Sequence, residues 1–111
     1  MKFETRMMKL LAGLTAMISS AGLCWAAGIV TVDQKGLTFS VQHLTVKKGD
    51  VVNFLNDDTT SHNILVSGNG VKLNSGLQRP GVTFSAPFVK PGDYQVTCGI
   101  HPKMKMTVTV R

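Results

Sequence analysis

Cys98-Gly-Ile-His101-Pro-Lys-Met104 sets a thiol, an imidazole and a thioether at intervals of three residues near the end of the chain. Thiolate and thioether are soft donors and imidazole is intermediate, a set that suits copper cycling between Cu(I) and Cu(II). A second imidazole is available from His62, which follows the polar turn Asn56-Asp-Asp-Thr-Thr-Ser61. Two imidazoles and one thiolate in a trigonal array, with a long, weak axial Met, define a blue-copper electron-transfer site. The expected ligands of one copper ion are therefore His62, Cys98, His101 and Met104.

Each of these residues has a plainer role when taken singly. A lone Cys is usually a small buried hydrophobe and a lone Met a core filler. Their occurrence together, with two histidines and no second cysteine in the mature chain, favours the metal. His43 has no such company and lies on the opposite parity to Leu44 and Val46, so it reads as a solvated side chain. A cysteine hydrolase would need a base, an orienting group and a substrate cleft. This chain is too short to build much of a cleft, and that chemistry leaves Met104 without a use, so no enzyme is expected. A structural zinc site wants four strong ligands, and a thioether suits zinc poorly. The absence of C-x-x-C-H excludes c-type haem attachment. A copper carrier or storage protein, handing on the ion instead of an electron, could use the same four residues and stays open.

The elements that must position these ligands read as short strands. Leu37, Phe39 and Val41 alternate with polar residues, Leu44 and Val46 follow, and Lys47-Lys48-Gly49-Asp50 marks a turn. Val52, Phe54 and Asn56 share one face; His62, Ile64 and Val66 share another. The stretch 67–81 holds Gly68, Gly70, Gly76, Pro80 and Gly81 and reads mostly as loop. Val82 to Phe88 alternates again, and Pro91-Gly92 turns the chain into a strand whose Tyr94, Val96 and Cys98 point one way. Met104, Met106, Val108 and Val110 share one face of the last strand. Short strands with Gly/Pro punctuation and no amphipathic helix imply an all-β sandwich.

A chain of 111 residues leaves room for one domain, and its first stretch stands outside it. Lys2, Arg6 and Lys9 precede an uncharged apolar run from Leu10 to Leu23 and then Cys24-Trp-Ala-Ala27. A positive start, an apolar segment of roughly 7–15 residues and a small-residue exit make a secretory signal peptide. The run is shorter than the roughly 17–25 residues that cross a bilayer, so no stable membrane insertion is expected. Residues 1–26 are read as a cleaved signal peptide, 27–111 as the single mature domain, and the periplasm as its location. Bulky Leu23 before Cys24 argues against lipid attachment there, so Cys98 stands alone after cleavage. Small exported domains usually pair their cysteines, and an unpaired one asks for another role. Of twelve basic and six acidic residues, three and one lie in the leader, leaving the mature domain near +4. That charge is too modest and dispersed for nucleic-acid binding.

Cys98-x-x-His101-x-x-Met104 with an upstream His62-Asn63 resembles the cupredoxins. Gly49-Asp50-x-Val52-x-Phe54-x-Asn56 and Pro91-Gly92-x-Tyr94-x-x-x-Cys98 extend the likeness over nearly all of the mature chain. The short ligand loop is most like that of the amicyanins; plastocyanins have a longer gap between His and Met. The resemblance implies a Greek-key sandwich with copper near one end, the ring edge of His101 as electron port, and Asn63 bracing the loop that carries Cys98. It also implies a monomer working between a donor and an acceptor redox protein. Lys103 stands where amicyanins carry an aromatic, and with Lys105 it points to a partner with an acidic docking surface.

Overall fold

Alternation of apolar and polar side chains drives the folding of this chain, because a strand with one apolar face must bury it against a second layer. A computed structural model of the chain describes residues 27–111, so the expected signal peptide lies outside the described residues. The strands are β1 (Ile29–Lys35), β2 (Thr38–Phe39), β3 (His43–Val46), β4 (Val51–Asn56), β5 (Ile64–Gly68), β6 (Val71–Asn74), β7 (Thr83–Pro87), β8 (Gly92–Cys98) and β9 (Lys105–Val110). One sheet has the order β2-β1-β4-β7 and the other β3-β9-β8-β5-β6. The β1–β4 and β3–β9 pairs are parallel and the remaining pairs antiparallel. The chain crosses between the sheets after β2, β3, β4, β6 and β7, which gives the expected all-β, Greek-key sandwich. Among the described residues no helix is long and apolar enough to cross a membrane.

Val32, Val52, Phe54, Ile64, Val66, Phe88, Tyr94, Val96, Met106 and Val108 fill the space between the sheets. Burying a side chain such as Phe54 contributes about 2 kcal/mol relative to leaving it in water. Phe88 and Tyr94 meet edge to face at 5.2 Å between ring centroids. The Tyr94 hydroxyl donates to the Lys90 carbonyl at 2.7 Å, so the polar tip of a buried ring is satisfied.

Two stretches differ from the periodicity reading. The alternation Leu37, Phe39, Val41 makes only the two-residue β2, and of the three only Phe39 is buried. Leu37 sits in the turn between β1 and β2 at φ 58°, which turns its side chain out of the strand pattern. The glycine-rich stretch 67–81 is not mostly loop: β5 runs on to Gly68 and pairs with β6 as a hairpin. Gly68, at φ 153°, lies so close to the Asp93 carbonyl that a Cβ there would collide with it. Its missing side chain therefore reflects tight packing, not a break in the strand.

Candidate metal centre

β8 alternates inward and outward, so its register buries Tyr94, Val96 and Cys98 together and leaves Cys98 at the strand's end. The loop beyond is tied at both ends. Met104 N–H donates to the His101 carbonyl at 2.9 Å, and Cys98 N–H donates to the Met104 carbonyl at 3.3 Å. That closure turns His101 back toward Cys98 and delivers Met104 as a buried residue at the mouth of β9. His62 comes from the other side, fully buried just before β5 in a two-residue bridge with Gln78.

The three donors converge. His62 Nδ1 lies 3.2 Å from His101 Nδ1, and each nitrogen is 3.7 Å from Cys98 Sγ. Such a cluster of a sulfur and two ring nitrogens fits a single soft or borderline metal ion. Met104 lines the same cavity as His101, together with Leu37, Ile100, Pro102 and Lys103. Three of the four residues expected from the sequence are thus brought together as a group that could hold a metal ion, and the fourth, Met104, lines a cavity with His101. His43 is exposed, with Nδ1 2.6 Å from Thr107 Oγ1, and stands apart from the cluster as expected. A larger cavity, about 630 Å³, lies at the opposite end of the sandwich beside Gly28, Asp50 and Arg111, and contains none of these ligands.

The surrounding groups hold the sulfur and the His62 ring in place. Asn63 N–H points at Cys98 Sγ from 3.3 Å. Gly99 N–H donates to the Asn63 carbonyl at 2.8 Å, so the bracing of the Cys98 loop is done by main-chain atoms. The Asn63 side chain holds a different loop, donating to Asn74 Oδ1 and to the Gly76 carbonyl. It also lies against Gly99, where a Cβ would collide with Asn63 Oδ1. His62 Nε2 donates to Asp58 Oδ2 at 2.7 Å, which holds the ring with its Nδ1 edge toward Cys98 and His101. Burial pushes the Asp58 carboxyl upward, but the hydrogen bonds from His62, Gly36 and Leu37 outweigh it and hold the group below the usual carboxylate range.

Two supporting residues, Asp58 and Gln78, escape a reading by periodicity. Asp58 sits in a polar turn, four residues before His62, and that spacing to a candidate ligand is its only signal in the sequence. Gln78 is buried in the segment read as loop. It ties the segment before β5 to the β2-β1-β4-β7 sheet. Its side chain donates to the Phe54 and Val82 carbonyls and accepts from Gln34 Nε2, while its main chain pairs with His62.

Residues 26–111 match the model of the family described as copper binding proteins, plastocyanin/azurin family. Amicyanin-alpha from Methylorubrum extorquens is 32% identical over 87 residues, spanning 76% of this chain and 73% of that protein. A purple cupredoxin from Nitrosopumilus maritimus superposes with a TM-score of 0.66 at 26% identity, over 74% of this chain and 99% of its own. The Cu-containing nitrite reductase of Thermus scotoductus gives a TM-score of 0.71 at 26% identity, over 79% of this chain but only 23% of the reductase. Most of that enzyme therefore has no counterpart here.

Proposed function

The chain belongs to the plastocyanin/azurin family of copper binding proteins, and on that premise we propose that it is a periplasmic one-electron carrier, not an enzyme. His62, Cys98, His101 and Met104 hold its one copper ion. The observation that carries this reading is the convergence of one sulfur and two ring nitrogens at one point, with Cys98 and His62 buried and His101 half-buried. Bound copper supplies the Cu(I)/Cu(II) couple. The chain's own residues supply rigidity: Cys98 is anchored in β8, the closed loop limits His101 and Met104, and His62 is held by Asp58 and Gln78. Fixed donors keep the rearrangement small when the charge at the centre changes by one unit, which suits an electron shuttle better than a protein that must release its ion.

Residues 1–26 are read as the export signal that takes the mature domain to the periplasm. There it works as a monomer between two redox proteins. His101 is half-buried and Ile100 and Pro102 beside it are exposed, as are Lys103 and Lys105. This face gives an apolar contact rimmed by positive charge, suited to a partner acidic around its own redox centre.

Absorption spectroscopy with Cu(II) tests the reading directly. An intense blue thiolate-to-copper band is expected in the wild type. It is lost in Cys98→Ser, which keeps its β-sheet circular dichroism, and is unchanged in His43→Ala. Reversible reduction with copper retained supports the shuttle; ready transfer of the ion to a metal-free acceptor supports a carrier. A blue band persisting in Cys98→Ser removes Cys98 from the site.

A further inference from the structure

Asp58 holds more than the His62 ring. Its Oδ1 accepts the Gly36 N–H at 2.6 Å, and its Oδ2 accepts both the Leu37 N–H at 3.1 Å and His62 Nε2–H at 2.7 Å. A single oxygen is thus shared between a buried imidazole of the metal cluster and the backbone of a surface turn. That turn is under tension. Leu37 is a non-glycine residue at φ 58°, a conformation that costs energy and persists where surrounding contacts impose it. Gly36 and Leu37 form a two-residue hairpin link closed by the Lys35–Thr38 pair, both at positive φ, and both of the link's amides donate to this carboxylate. The outcome is a Leu37 side chain held 48% exposed, forming one wall of the cavity whose other walls are Ile100, His101, Pro102, Lys103 and Met104. Asp58 itself keeps only 12% of its side chain in contact with water, so its bonds face little competition from solvent.

We propose that Asp58 is a positioning residue that couples the docking face to the metal centre, because one carboxylate sets both the orientation of His62 and the shape of the Gly36–Leu37 turn. This rests on the reading of that face as the docking surface and of His62 as a ligand. The physical consequence is reciprocal. A partner that presses on Leu37 changes the bond lengths at Asp58 Oδ2, and with them the hold on the His62 ring. A metal that fixes the His62 ring in turn frees Asp58 from the ring's motion and steadies the turn. Coupling between two sites must act equally in both directions. The two effects are therefore measurements of one quantity, and the carboxylate is its physical link.

The test uses isotope-labelled protein, metal-free and loaded with diamagnetic Cu(I), as wild type, Leu37→Gly, Asp58→Asn and the double variant. Leu37→Gly keeps both main-chain donors, relieves the strained φ and removes the exposed apolar side chain. It should move the His62 ring nitrogen signals and the reduction potential in the wild-type background and leave them in place in the Asp58→Asn background. Loading wild type with Cu(I) should slow hydrogen exchange at the Gly36 and Leu37 amides by at least about fivefold, the lower end of typical site-to-site coupling. Asp58→Asn should abolish that slowing. Equal His62 shifts from Leu37→Gly in both backgrounds would show a through-space effect and overturn the proposal. So would amide exchange at positions 36 and 37 that ignores the metal. Should Asp58→Asn fail to fold, the wild-type amide exchange with and without Cu(I) still decides the matter. A wild type that shows no blue band with Cu(II) would sink the copper reading alone, since the ring shifts in metal-free protein test the coupling by themselves.

Discussion

His62 and Gln78 each donate a main-chain N–H to the other's carbonyl, at 2.9 and 2.7 Å, in a bridge outside every strand of either sheet. A candidate ligand such as His62, on a connecting segment, has no ladder to fix it. Here one residue supplies the substitute, and the side chain of that residue is bonded to the other sheet through Phe54 and Gln34 and to Val82 just before β7. Asn56 Nδ2 adds a further bond to the Gln78 carbonyl at 2.8 Å.

Gln78→Ala should therefore destabilise the metal-free protein by about 2–4 kcal/mol. It opens a cavity and strips the buried Gln34 amide of its partner. Chemical denaturation of the metal-free form measures this, and a loss under about 1 kcal/mol would show that the ties carry little energy. Copper should bind the variant with a broader Cu(II) electron paramagnetic resonance spectrum, because His62 is less well fixed.

Met104 and Met106 separate by consequence. Met104 shares a cavity with His101, whereas Met106 stands in the core opposite Val96 on β8. Met104→Leu should keep a blue site and raise the reduction potential, since a weak axial donor that favours Cu(II) is removed. Met106→Leu is a near-isosteric core swap and should cost less than about 1.5 kcal/mol, with a smaller potential shift. Cyclic voltammetry of the two variants checks the order, and a larger shift from Met106→Leu would reverse the assignment.

The candidate residues Cys98, His101 and Met104 stood out because chemistry and spacing coincide in one short segment, and β4, β8 and β9 were legible because their cores alternate strictly. Gln34 and Asn56 are the instructive cases. They occupy core-facing positions after Val32 and after Phe54, so their parity is apolar while their chemistry is not. Parity alone cannot say what a buried amide bonds to, because the partners are far away in sequence: Gln34 meets Gln78, and Asn56 meets Thr60 and Gln78. Asp58 is hidden for the same reason, as two of its donors come from the turn after β1. β6 was obscured by flanking glycines, of which Gly68 serves close packing and Gly70 the positive φ of a turn, and the tip at Leu37 by a backbone conformation that side-chain periodicity does not register.

Asp50 gives the end of the sandwich remote from the site a dependence on acid. Its carboxylate accepts the Lys47 and Gly28 N–H groups at 2.8 Å each, and these bonds, Lys47 first, hold its pKa below the ordinary value. A depressed folded-state pKa adds stability that is present above the unfolded value, near 3.8, and fades as pH falls through the folded one. Asp50→Asn should therefore flatten the loss of stability below about pH 4 while lowering the plateau at neutral pH. Thermal melts of both proteins across the acid range measure it, and parallel curves would show that Asp50 is not the group responsible.

Lys103 is expected to steer the partner. It is exposed in the ligand loop between Pro102 and buried Met104, and lines the same cavity as Leu37 and His101. Complementary charge chiefly raises the rate of encounter, and salt screens it over about 8–10 Å at ordinary ionic strength. A surface lysine pointing away from the contact would contribute little by comparison. Stopped-flow electron transfer with an acidic redox partner, for wild type and Lys103→Glu across a salt series, separates the two cases. Steering requires a second-order rate that falls with salt, a slower variant at low salt, and a gap between the proteins that closes as salt rises. Reduction potentials are matched first, so that driving force does not pass for docking. Equal rates at low salt would remove Lys103 from the docking face.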